Sequence, residues 1–187
     1  MKEYGENGLI TTKVVRFMAN YIDFEEQSKK IKMIALEIDG VITEGLVCIT
    51  DMPSVAFKQY NLKDFEAIDE LKNTFKVVVV SSDWAVNKNL CASRHIPFFC
   101  MKTKKEALSK AMIKYGVTPE EVVYVGHSFS DIDNCRMIPF SLCPSDAVSD
   151  IKNCCHVLES FAGYGVMAEI YDLLKNEIIR RKKLDKS

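Results

Sequence analysis

The sequence predicts an α/β fold: a three-layer, doubly wound parallel sheet with a β-hairpin flap after the first strand and no large cap domain. Three observations predict it. Short apolar runs bounded by turn residues recur at 32–38, 76–80 ("KVVVV") and 122–125 ("VVYV"), as strands buried on both faces do. Between them stand segments whose apolar residues fall three and four apart, the helix period. Strand and helix therefore alternate, which is the pattern of a parallel sheet covered by helices.

Taken in order, Thr11 or Thr12 can cap a first helix whose apolar residues Val14, Phe17, Met18, Tyr21 and Ile22 form one stripe. Such a stripe needs a cover, on the domain or on another subunit. The first strand follows the charged "EEQSKK". Next, 46–50 and 55–60 flank the turn-forming cluster "DMPS" and read as a hairpin inserted directly after that strand. Its residues Leu46, Val47, Ile49, Val55, Phe57 and Tyr60 are many for a protruding flap. They fit an oligomer interface or a hairpin folded back on the domain. Helices are predicted at 63–73, 84–94 and 104–115. The organisation expected is a helical arm at 1–30, one domain at 31–176 and a basic tail at 177–187.

One domain suits 187 residues with 48% apolar and 27% charged content. A net charge of −1 and a sequence pI near 6.3 leave no electrostatic footprint for nucleic acid. The local run Arg180-Arg181-Lys182-Lys183 reads as a solvated helix end or terminus rather than a binding arm. No apolar run is long enough for a bilayer span. Seven cysteines without a C-x-x-C pair, behind a start "MKEYGENGLI" that has no signal-peptide core, set the expectation of a reducing, cytoplasmic setting.

In a parallel α/β sheet, ligands bind beyond the carboxyl ends of the strands. The first strand delivers Glu37, Asp39 and Gly40 there. The second delivers Ser81, Ser82 and Asp83, and "VVYV" delivers Gly126, His127, Ser128 and, one turn on, Asp131. Lys104 opens the helix between them. Glu37 reads either as a carboxylate paired to Lys104, since a buried acid needs a partner, or as a nucleophile. Asp39 reads as an acid/base or as the side chain that ties the loop before Gly40. Glu37, Asp39, His127 and Asp131 are the candidate metal ligands, and a set containing imidazole suits a transition ion such as Mn²⁺. His156 reads as a packed strand end. Asp131 reads as a helix N-terminus, because "DIDN" has neither the Gly nor the distal Glu of a calcium loop.

In this order, the four positions resemble the motifs of the haloacid dehalogenase (HAD) superfamily of aspartyl-phosphate hydrolases: D-x-D-G, a Ser or Thr after the second strand, a Lys, and G-D-D-x-x-D. The stretches "DGVITEGLV", "YNLKDFEAI", "LSKAMIKYGVTPEEVVYVG" and "AGYGVMAEIYDLL" narrow the resemblance to small sugar-acid phosphatases that act on 3-deoxy-D-manno-octulosonate 8-phosphate, and to the C-terminal domain of CMP-sialic acid synthetase. The resemblance covers about residues 30 to 175. It implies an HAD-like Rossmannoid fold, Mg²⁺ as cofactor, a phosphorylated sugar ligand and a homotetramer assembled through hairpins. It also implies Asp39 as acid/base, Ser81 as the phosphoryl-binding hydroxyl with Gly40 and Ser82 beside it, and Lys104 as the cation on nucleophile and phosphate.

Several positions depart from that pattern. Glu37 stands where the nucleophilic Asp belongs, Asp83 where these phosphatases tend to carry Arg, His127 and Ser128 where two aspartates belong, and Tyr164 where a terminal-loop Arg belongs. A carboxylate displaced by on the order of 1 Å can cost about a hundredfold in rate, and magnesium prefers oxygen ligands to imidazole. The expectation is a degenerate phosphatase that is noncatalytic or strongly impaired and works through assembly or ligand binding. The alternative is a metal-dependent phosphomonoester hydrolase with an altered metal preference.

Overall fold

A computed structural model of the chain describes residues 24–184 apart from 50, 52–54, 83 and 84. The expected helix with the Val14 to Ile22 stripe, most of the "DMPS" turn, and Asp83 lie outside the described residues. The sheet is parallel throughout, in the order β5-β4-β1-β6-β7-β8. It is formed by β1 (Met33–Leu36), β4 (Lys76–Ser81), β5 (Phe98–Cys100), β6 (Val122–Val125), β7 (Phe140–Cys143) and β8 (His156–Val157). A separate antiparallel ribbon, β2 (Cys48–Ile49) with β3 (Val55–Phe57), is the hairpin after β1.

Alternation along the strands builds two cores. Ile34, Leu36, Val77, Val79, Val123 and Val125 face one side, and Met33, Ala35, Val78, Val80, Val122 and Tyr124 the other. On the first side pack α2 (Leu62–Leu71), α3 (Ala85–Ser93) and α7 (Val166–Leu184). On the second lie α4 (Lys104–Tyr115), α5 (Ile132–Met137) and α6 (Ser149–Lys152). The predicted three layers are therefore present. In α4, Thr103 caps the amino end by accepting from Glu106 N, and Gly116 closes the carboxyl end at φ 62°.

Two strands escaped the sequence reading, β5 with three residues and β7 with four, whereas β8 holds His156, read from sequence as a packed strand end. His95 lies past the end of α3 in the left-handed region at φ 53°. The expected tail at 177–187 begins inside a helix instead. Glu177 and Ile178 are buried on α7, and Arg181 spans the Phe75 ring at 4.9 Å while donating to the Ser28 and Lys29 carbonyls. The end of the expected arm also belongs to the domain, since α1 (Phe24–Lys30) wedges Phe24 against Phe140 and His156 with ring centroids at 5.1 and 4.7 Å. Among the described residues, no helix is long and apolar enough to cross a membrane.

This topology positions the site. The chain winds from β1 outward to β4 and β5, then returns to the far side of β1 at β6. The carboxyl ends of β1 and β6 therefore diverge at a switch point, where open α/β sheets form their crevice.

Candidate active site

Glu37 continues β1 by donating its backbone N–H to Val125 O at 3.1 Å, which aims its side chain beyond the sheet. The next residues fold into a turn in which the N–H groups of Val41, Ile42 and Thr43 all point to Ile38 O. The Thr43 hydroxyl accepts from Gly40 N and Gly45 N at 3.3 and 3.2 Å. Thr43, not Asp39, is the side chain that ties this loop. Gly40 is required at its place: φ is +79°, and a Cβ would lie 2.1 Å from His127 Nδ1. Gly40→Ala is expected to lower stability by about 1–3 kcal/mol and to displace the His127 ring, measured by urea unfolding and by the imidazole resonances. An unshifted ring at unchanged stability would refute that close packing.

Beyond the strand ends lies an open cleft of ≈ 330 Å³. Glu37 and Asp39 line it from β1, Ser81 and Ser82 from β4, Lys104 from α4, and His127 with Ser128 and Ser130 from the loop after β6. Gly40 borders it through the His127 ring packed on it. Asp131 sits beneath.

Lys104 is the hub. Its ammonium stands 2.8 Å from both Glu37 Oε2 and Asp131 Oδ1, and all three side chains are almost fully buried. The Asp131 contact is a directed hydrogen bond, whereas the Glu37 contact is ionic without that direction. Glu37 Oε1 accepts from Ile38 N at 2.8 Å. One ammonium does not serve two buried acids equally. Burial raises the Glu37 carboxyl above its usual range, and Lys104 only partly offsets this. For Asp131 burial pushes the same way, but Lys104 and the Tyr124 and Ser128 donors outweigh it and hold the carboxyl below its usual range. Burial alone would lower the Lys104 ammonium, yet Glu37 and Asp131 hold it above its ordinary value.

Asp131 has no oxygen to spare. Oδ1 accepts from Lys104 and from Tyr124 OH at 2.6 Å, and Oδ2 accepts from His127 N, Ser128 N and Ser128 Oγ at 3.1, 2.9 and 3.1 Å. It caps the turn that leads into α5, in agreement with its reading as a helix N-terminus. Magnesium therefore finds a poor set here, with an imidazole at 127, a hydroxyl at 128 and a saturated carboxylate at 131. Among the described residues, no three His, Cys, Asp or Glu side chains group as a metal site. Of the quartet expected from sequence, Glu37, Asp39 and His127 line the cleft and Asp131 lies at its floor, bound to Lys104.

Asp39 belongs to a network that sequence reasoning missed. Lys58, on the chain leaving β3, reaches both Asp39 oxygens at 2.8 Å and Asn87 Oδ1 at 2.9 Å, while Asn87 Nδ2 donates to Asp39 at 3.0 Å. The Lys58 side chain is 1% exposed and that of Asp39 31%. Contacts across 19 and 48 residues leave no periodic trace in a sequence. The hairpin is thereby latched to the acid at the mouth of the site. Because Asp39 keeps some water, Lys58→Met is expected to cost about 3 kcal/mol, the lower end of the range for a broken buried pair. Hydrogen exchange should then accelerate across β2 and β3; unchanged protection there would break the link between latch and flap. Tyr164, in the terminal loop, donates to Glu44 at 3.1 Å.

No family model matches the chain. The chain is similar to a 3-deoxy-D-manno-octulosonate 8-phosphate phosphatase of Haemophilus influenzae, 28% identical over 155 residues that cover 80% of this chain and 86% of the relative. A cobalt-bound structure of the deoxy-D-mannose-octulosonate 8-phosphate phosphatase from Haemophilus influenzae superposes with a TM-score of 0.75 at 28% identity, covering 80% and 90% of the two chains. A putative HAD superfamily hydrolase from Legionella pneumophila shares the fold at a TM-score of 0.77 and 20% identity, covering 94% and 99%. Parallel topology, motif order and these likenesses agree: the chain has the fold of the haloacid dehalogenase hydrolases and is similar to the 3-deoxy-D-manno-octulosonate 8-phosphate phosphatases.

Proposed function

We propose that this chain is a sugar-acid-phosphatase-like protein that has lost most or all of its phosphatase chemistry and acts by assembly or by binding a sugar ligand. The observation that carries the reading is the donor set beside Glu37: position 127 offers an imidazole, position 128 a hydroxyl, and the Asp131 carboxylate is saturated by Lys104, Tyr124, His127 and Ser128. A nucleophile must reach phosphorus with a free lone pair and a partner that screens the incoming charge. Here Lys104 already answers two carboxylates, and Asp39 is held by Lys58 and Asn87. The exposed apolar side chains Leu46, Val47, Ile49 and Phe57 on the hairpin support a homo-oligomer, a tetramer by analogy with the family. Light scattering of the wild type and of Ile49→Glu tests the assembly, which should fall apart in the variant.

A second reading has one observation in its favour: Glu37, Asp39, Ser81 and Lys104 do share one cleft. In that reading the protein hydrolyses sugar-acid phosphates with Mn²⁺ or another transition ion. The deciding experiment is phosphate release from sugar-acid phosphates and an aryl phosphate with Mg, Mn, Co or Zn, beside Asp39→Asn. Silence with every metal in a folded protein supports the noncatalytic reading. Turnover that vanishes in Asp39→Asn overturns it.

A further inference from the structure

We propose that the cleft takes a neutral, polyhydroxylated ligand, a sugar carrying neither phosphate nor carboxylate, held by Asp39 and the cleft serines. This rests on the noncatalytic reading and names the ligand class for it. The charge balance comes first. Three carboxylates, Glu37, Asp39 and Asp131, meet two ammoniums, Lys58 and Lys104, and each ammonium is already bonded to carboxylate oxygen. The cluster therefore carries net negative charge among the described residues. A phosphomonoester entering it would give up its hydration without meeting an uncompensated cation. A divalent metal would reverse this, but the donor set at 127, 128 and 131 does not fit magnesium.

A sugar hydroxyl meets no such barrier. It donates to the partly exposed Asp39 carboxylate in a charge-assisted hydrogen bond and brings no charge of its own. Ser82, Ser128 and Ser130 line the same cleft, and each hydroxyl both donates and accepts, as sugar hydroxyls do. The Ser128 hydroxyl already donates to Asp131 Oδ2, so Ser130 is the donor in their 3.0 Å contact and both oxygens keep acceptor capacity for neighbouring hydroxyls.

The test is titration calorimetry with saturation-transfer NMR in the absence of divalent metal, using D-glucose, D-mannose and D-galactose against D-glucose 6-phosphate and inorganic phosphate. At least one neutral hexose is expected to bind about tenfold more tightly than either phosphate. Ser130→Ala, at an exposed position that lines the cleft, is expected to weaken that binding at least about threefold while leaving the melting temperature in place. Equal or tighter binding of glucose 6-phosphate or phosphate would overturn the proposal, and so would absence of saturation transfer from every neutral hexose to folded protein. Phosphate release in the turnover assay reads the noncatalytic proposal separately, because it does not depend on affinity for a neutral sugar.

Discussion

The combined variant Glu37→Asp, His127→Asp, Ser128→Asp is expected to release phosphate from an aryl phosphate or a sugar-acid phosphate in a magnesium-dependent way, at least about a hundredfold faster than the wild type. Asp at 37 withdraws the carboxylate by one methylene towards the strand, away from the Lys104 pair. Asp at 127 and 128 returns oxygen ligands to a loop whose two backbone N–H groups are already anchored on Asp131 Oδ2. That anchor is built from main chain, so it survives the substitutions. The smaller side chain at 127 also relieves the close approach of its ring to Gly40. Glu37→Asp alone should remain nearly inactive, because the loop would still offer imidazole and hydroxyl to a hard ion. Initial rates with and without magnesium check both statements. A fully active single variant would show that positions 127 and 128 do not limit the chemistry; a folded but silent triple variant would move the deficit to Tyr164 or to the Lys58 latch.

Much of this site was legible because its residues fall at strand ends. Runs such as "KVVVV" are unambiguous as buried strands, and the residues just after them must lie at one edge of a parallel sheet. Glu37, Ser81, Lys104 and Asp131 were found in this way, and the structure gathers them at one cleft and its floor. Elements without a repeating signal were missed. Strand β7 carries a polar Ser141 in its middle, whose hydroxyl is satisfied by Ile138 O at 2.8 Å, and β5 has three residues. The basic residues at 180–183 looked like a solvated end, but Glu177, three and four residues before Arg180 and Arg181, pairs with both on one helix face. Lys58 and Asn87 were invisible for a different reason. Their roles exist only where hairpin, loop and α3 meet in space.

Replacing Asp131 by Asn is expected to destabilise the protein by about 3–5 kcal/mol at neutral pH. Every contact this carboxylate makes is one of acceptance, from Lys104 and Tyr124 at one oxygen and from His127 and Ser128 at the other. An amide must turn its NH₂ towards one of these donor sets, so a donor faces donors in a fully buried place. The phenol gives no relief: burial, reinforced by Asp131, drives the Tyr124 hydroxyl well above its ordinary pKa and keeps it a donor.

The same geometry sets a pH signature. The folded Asp131 carboxyl titrates below its unfolded value, so its contribution is complete above the unfolded carboxylate range and is lost as pH falls through the folded pKa. Glu37 has the opposite sign. Its folded pKa is raised, so its contribution is complete below its unfolded value and is lost as pH rises through the folded one. Together they place the site's greatest stability above the unfolded carboxylate range and below the folded pKa of Glu37. Urea unfolding across pH measures this directly. Asp131→Asn should flatten the acid limb, Glu37→Gln should flatten the decline at higher pH, and a wild type whose stability shows no such decline would show that Lys104 keeps both acids ionised.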